Sequence, residues 1–87
     1  MKRPQKQEFV IDLAGVRSSR SLQARLCKAL PMPDDYGRNY DALYDVLTEY
    51  GPAWRIVFKN AQAALKVFRA VCADAQESAP GLEIVFA

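Results

Sequence analysis

The side chains best placed to do chemistry are carboxylates. Asp34, Asp35, Asp41, Asp45 and Glu49 fall between residues 34 and 49, with Arg38 as the single cation among them. Carboxylates grouped in this way can act as general acid and base, can ligate a hard cation such as Mg²⁺ (Asp41 and Asp45 with Asp34 or Asp35), or can present a negative surface to a cationic partner. Catalysis needs a pocket that desolvates a substrate or shifts a carboxyl pKa, and a convex helix and loop in a domain of 87 residues predicts no such pocket. The reading is therefore a chain that is not an enzyme, with no catalytic residue, no metal and no cofactor.

Other chemistry finds less support. The chain contains no histidine, which removes Ser-His and Cys-His nucleophile systems and ordinary zinc sites. It also lacks a GxGxxG or GxxxxGK[ST] loop for phosphate binding. Cys27 and Cys72 have no CxxC spacing and read as reduced, partly buried thiols.

Charge patterning favours the third option. Five carboxylates against one arginine give residues 34–49 a net charge of −4, and because the whole chain is +2 the remainder is +6. Asp41 and Asp45 stand at i,i+4, where like charges cost a helix a few tenths of a kcal/mol. A merely solvated face is usually served by mixed signs. A one-sign stripe with Tyr36 and Tyr44 among its acids reads instead as a docking surface for a cationic protein. Either tyrosine alone could equally be an amphipathic ring at the edge of the core.

The elements that must position these residues follow from local signals. Pro31 and Pro33 keep the backbone extended through Asp34, and Gly37 supplies a position tolerant of unusual dihedrals. Asn39 then caps a helix whose apolar face is Tyr40, Leu43, Val46 or Leu47, and Tyr50. Upstream, Glu8 to Leu13 is a strand, and Ser18 or Ser19 caps a helix with Leu22, Leu26, Ala29 and Leu30 inward. Arg20, Arg25 and Lys28 point outward there, as a solvated face with no interleaved aromatics to suggest nucleic acid. Downstream, Gly51 and Pro52 stop the central helix and Trp54 to Phe58 is a second strand. Asn60 caps a third helix from Ala61 to about Ala75, with Ala64, Leu65, Phe68, Val71 and Cys72 on one face. Pro80 and Gly81 turn the chain into a last strand, Leu82 to Phe86.

The order β-α-α-β-α-β predicts a two-layer α/β fold: a three-stranded parallel sheet in the order 1-2-3 with about three helices on one face. Residues 1–87 form one domain, with 1–7 expected as a disordered basic tail. No apolar run is long enough to cross a bilayer, and MKRPQKQ lacks a secretory hydrophobic segment, so a cytoplasmic protein without membrane contact is expected.

The run from Val16 to Tyr50, and above all P-x-x-Y-G-x-N-x-D-A-L-x-D-x-L-T from Pro33 to Thr48, resembles the barstar family, intracellular inhibitors of barnase-type secreted ribonucleases. The likeness continues more weakly to Val67–Arg69 and the closing strand. It implies a parallel three-stranded sheet and a helix that plugs a ribonuclease active site without catalysis. By this resemblance Asp45 enters the enzyme's phosphate pocket, Asp41 engages its base-reading side, and Gly37, Asn39 and Thr48 lie in or beside the contact. Tyr44 takes the place of a contacting tryptophan. Asp35 stands where the archetype has a tyrosine, and Ala70 where it has an interface glutamate. The chain is shorter by about a dozen residues between Phe58 and Ala63, which implies three helices rather than four. The expected partner surface is Asp35, Tyr36, Gly37, Asn39, Asp41, Tyr44, Asp45 and Thr48. Its expected partner is a basic ribonuclease, with no direct nucleic-acid contact and a monomeric free state. The alternative is a binding module or immunity protein of the same fold for another cationic partner.

Overall fold

In the computed structural model, which describes residues 6–87, strand β1 (Gln7–Asp12) leads through helices α1 (Ser19–Ala29) and α2 (Tyr40–Glu49) into β2 (Trp54–Lys59). Helix α3 (Lys66–Ser78) then returns the chain to β3 (Glu83–Phe86), and single 3₁₀ turns occupy Gly51–Ala53 and Ala61–Ala63. The strands pair in parallel in the order β1-β2-β3, with Ile11 opposite Phe58 and Phe58 opposite Phe86. This is the two-layer α/β architecture that the element order predicts, with three helices.

Alternation along the strands assigns the sheet's two faces. Ile11, Trp54, Ile56 and Phe58 are buried beneath the helices, and Phe58 meets Phe68 of α3 edge to face at 5.1 Å between ring centroids. On the opposite face Glu8, Arg55 and Glu83 stand in one row, joined by Arg55 contacts of 3.1 and 3.2 Å, beside a row of Val10, Val57 and Val85. Such exposed pairs contribute little to stability. The buried face carries the fold: Leu22 and Leu26 of α1, Leu43, Val46 and Leu47 of α2, and Phe68, Cys72 and Ala75 of α3 share one cluster with the strands.

Capping explains where the first two helices begin. Ser18, not Ser19, caps α1: its Oγ accepts from the Ser21 amide at 3.1 Å while the Ser21 Oγ accepts from the Ser18 amide at 3.2 Å. Asn39 caps α2 as expected, its side chain accepting from the Ala42 amide at 2.7 Å.

Three expectations are corrected. Asn60 does not cap α3: its backbone is left-handed (φ 56°) and its amide donates to Asp12 Oδ1 at 2.5 Å, so a 3₁₀ turn follows and α3 starts only at Lys66. Arg25 is not a solvated outward residue: its guanidinium donates to the carbonyls of Asp12 and Ala14, closing the end of β1. Of the expected tail, residues 1–5 lie outside the described residues, but Gln7 already opens β1 and Lys6 pairs with Glu83 at 3.1 Å.

Both cysteines are free thiols. Cys72 sits in the core, and burial pushes its thiol pKa up to about 12. The half-buried Cys27 is expected to react with a disulfide reagent at pH 8 in the native protein, and Cys72 only after denaturant is added. Equal rates for both thiols in native buffer would contradict this placement.

Candidate partner-binding surface

The loop and helix that carry the carboxylates are tied together by Asn39. Besides capping α2, its amide donates back to the Gly37 carbonyl at 3.3 Å, so one side chain sets the angle between loop and helix. The turn is closed upstream by the Tyr36 amide, which donates to the Pro33 carbonyl at 3.0 Å. The unusual backbone expected at Gly37 falls instead on Arg38 (φ 53°). Gly37 is needed for space: a Cβ there would lie 3.1 Å from Asn39 Nδ2 and 3.5 Å from the Ala42 Cβ, pressing on the cap.

Helix α2 buries Leu43, Val46 and Leu47, which leaves Asp41, Asp45 and Glu49 exposed on the other side, with Asp34 and Asp35 exposed in the loop. None of these five acids makes an ion pair among the described residues; the pairs found there are on the open face of the sheet. The carboxylates are therefore available, and their mutual repulsion is not internally relieved.

The surface is not wholly convex, contrary to expectation. A cleft of about 300 Å³ opens between the loop and α2, lined by Pro33, Asp35, Tyr36, Gly37, Ala42, Asp45, Val46, Glu49 and Tyr50. It brings four of the expected site residues together: Asp35, Tyr36, Gly37 and Asp45. Asn39, Asp41, Tyr44 and Thr48 do not line it. The Thr48 hydroxyl donates to the Tyr44 carbonyl at 2.9 Å within the helix. Tyr44 is half-buried on the far flank, where its hydroxyl pairs with Ser78 Oγ of α3 at 2.5 Å, so it joins two helices as well as bordering the acidic face.

Glu49, part of the acidic stripe but not of the expected partner surface, and Tyr50 also line this cleft. Tyr50 had been placed on the apolar face, yet it is 43 % exposed and stacks on the buried Trp54 with ring centroids 6.3 Å apart. Its position directly after Glu49 and just before the helix-stopping Gly51 was the available signal. Gln23 was missed as well. It is the one buried polar side chain among the described residues, 3 % exposed, and its Oε1 accepts from the Tyr36 hydroxyl at 2.5 Å while its Nε2 finds no protein partner. Gln23 thus fixes the ring that walls the cleft. Burial, with a smaller contribution from the neighbouring Cys27 thiol, pushes the Tyr36 phenol up to about 12. Among the described residues no three His, Cys, Asp or Glu side chains are close enough to share one metal ion.

The family model for barstar, described as barnase inhibitor, matches residues 6–87. The chain belongs to the barstar family. No curated protein gives a significant match to it. Family membership accords with the three helices and the parallel three-stranded sheet in the order β1-β2-β3. No helix among the described residues of this barstar-family chain is long and apolar enough to cross a membrane.

Removing the Tyr36 hydroxyl would leave the Gln23 amide without any protein partner, at a cost of about 1–3 kcal/mol. Tyr36→Phe should lower unfolding free energy by that amount in urea; an unchanged midpoint would contradict the contact. The folded state holds the Tyr36 proton more tightly than an unfolded chain, whose tyrosines titrate near 10. Its contribution to stability is therefore intact below pH 10 and lost as the pH climbs from 10 toward 12. Ultraviolet titration should find one tyrosine ionising well after the rest in wild type and none so late in Tyr36→Phe.

Proposed function

We propose that this protein is a cytoplasmic inhibitor of a basic, barnase-type ribonuclease, acting by occupation of the enzyme's active site and not by catalysis. The observation that carries the reading is the set of exposed carboxylates on α2 and its preceding loop, unpaired within the described residues and presented by a barstar-family fold.

The mechanism is electrostatic and steric. An enzyme that cleaves RNA must concentrate cations where the phosphates lie, and a rigid helix bearing Asp41 and Asp45 offers two anions at one-turn spacing to such a site. Asp45 acts as the phosphate mimic and Asp41 meets the base-reading side. Asp35, Tyr36, Gly37, Asn39, Tyr44 and Thr48 frame them. The helix comes with its backbone already ordered, so little conformational entropy is lost on docking. With the chain at +2 overall, long-range steering rests on the −4 segment, which physiological salt screens beyond about 8 Å. Association should accordingly be strongly salt-sensitive, with most affinity arising at contact.

Direct RNA binding by the basic remainder is not part of this reading. Lys6, Arg25, Arg55 and Arg69 are each engaged within the chain, by carboxylates, carbonyls or the Phe86 ring.

Titrated into a barnase-type ribonuclease assay, the protein should inhibit stoichiometrically. Asp45→Ala should weaken inhibition by at least about thirtyfold, the scale of a central interface anchor. Its urea midpoint should hardly move, because Asp45 is exposed and its removal relieves repulsion with Asp41 and Glu49. Equal loss of stability and inhibition would reject the interface assignment. No inhibition with micromolar protein would reject this class of enzyme as the partner and favour another cationic protein.

A further inference from the structure

We propose that Ser78, at the end of α3, is a positioning residue for partner binding: its hydroxyl holds the Tyr44 ring in one rotamer beside the acidic face of α2, so that the ring meets the partner already ordered. This rests on the reading of α2 as an inhibitory surface, and it adds a residue from another helix that the acids of that surface do not themselves require.

Tyr44 needs such a tie. It is half-buried on the flank of α2, three residues after Asp41 and directly before Asp45, so it borders the stripe that they form. On a helix a long side chain chooses between two χ1 rotamers, and these place a phenol oxygen several ångströms apart. A hydrogen bond tolerates far less than that, so the contact with Ser78 Oγ at 2.5 Å is compatible with only one of them. Among the described residues Ser78 is the one hydrogen-bond partner of the Tyr44 hydroxyl. Thr48, one turn further along α2, directs its own hydroxyl to the Tyr44 carbonyl at 2.9 Å and takes no part in holding the ring.

The tie is effective because Ser78 stands on a fixed base. It is the last residue of α3, between the buried Ala75 and Ala79, and the Ala79 amide closes the helix on the Ala75 carbonyl at 2.8 Å. The chain beyond it packs against the turn that follows α2. A Cβ on Gly51 would lie 2.9 Å from Leu82 Cδ1, and one on Gly81 would lie 3.2 Å from Pro52 Cβ, so the two segments touch closely at both points. The end of α3 is thus seated on the residues directly after α2, and Ser78 keeps its place relative to the helix that carries Tyr44. Ser78 itself is exposed, so its hydroxyl has little other use in holding the fold together. Ordering a side chain before docking removes that cost from binding. The phenol oxygen can both donate and accept, so the bond to Ser78 leaves it able to reach a partner as well.

The test has two arms. In the first, inhibition constants against a barnase-type ribonuclease are measured beside urea midpoints. Ser78→Ala should weaken inhibition about two- to tenfold, the scale of immobilising one side chain, while its midpoint stays close to wild type. Ser78→Thr, which keeps the hydroxyl, should restore inhibition. In a Tyr44→Phe background Ser78→Ala should change nothing further, because the group through which Ser78 acts is already gone. In the second arm, three-bond couplings of the Tyr44 side chain in the free protein should report one χ1 rotamer in wild type and Ser78→Thr, and an average over two in Ser78→Ala. Unchanged inhibition in Ser78→Ala, a loss that persists in the Tyr44→Phe background, or a Tyr44 ring still held in one rotamer without Ser78 would overturn the proposal. The two ideas fail differently. Inhibition lost in Asp45→Ala but kept in Ser78→Ala leaves the inhibitor reading standing and removes Ser78 from it. If the wild-type protein inhibits no barnase-type enzyme, that reading falls and the ring alone decides: averaging in Ser78→Ala sustains Ser78 as the residue that orders Tyr44, and a fixed ring removes it.

Discussion

Everything in this molecule depends on the burial of one side of α2. Leu43, Val46 and Leu47 are each at most 4 % exposed, and they join the cluster that holds the other helices to the sheet. Fully burying side chains of this size stabilises by about 1.5–3 kcal/mol each. The repulsion among Asp41, Asp45 and Glu49 on the other side costs only a few tenths per pair. The apolar seam therefore wins by a wide margin, and α2 can present unpaired acids without melting. A solvent-exposed helix of ten residues with this charge pattern and no such seam would not persist in water.

The seam sets where the helix lies, and polar contacts at its flanks set how the acidic face is aimed. Asn39 joins α2 to its loop, the Tyr44 hydroxyl joins it to Ser78 on α3, and Tyr36 fastens the loop to Gln23 on α1. These are short contacts to three different elements, and two of them use tyrosines whose rings border the candidate surface. Burying Gln23 with one end of its amide unsatisfied is unfavourable for a core residue, since a buried polar group without a partner costs about 1–3 kcal/mol. Such a cost is tolerated where the geometry it enforces matters more than the last increment of stability.

Much of this was legible in the chain. Period-two apolar runs at Phe9–Ile11, Trp54–Phe58 and Ile84–Phe86, separated by helical periodicity, define a parallel three-stranded sheet because a strand followed by a helix has few other ways to bury both. The cap at Asn39 was readable, and that of α1 to within one residue at Ser18 or Ser19, because each has the acceptor its helix needs. What was not legible depended on distant partners. Asn60 looks like a cap, but Asp12 in another strand takes its amide and the backbone turns left-handed. Arg25 looks like a solvated cation until the end of β1 is folded against it. The cleft could not be seen because its lining residues Tyr36 and Tyr50 are fourteen residues apart and Tyr36 is placed by Gln23, on a different helix and thirteen residues before it.

The same separation explains how one small fold can carry a specific surface. Acids on an exposed helix would attract any basic protein, since charge complementarity accelerates encounter more than it discriminates among partners. Discrimination requires shape held at fixed distance from the charge. Here the charge is supplied by α2 and the shape by rings anchored in α1 and β2, so the two are joined only in the folded state. On the proposed reading, a partner with a cation in the wrong place would leave a carboxylate of the cleft desolvated and unpaired, a penalty larger than the gain from any single exposed ion pair. On that reading specificity comes from the anchored tyrosine rings as much as from the acids beside them.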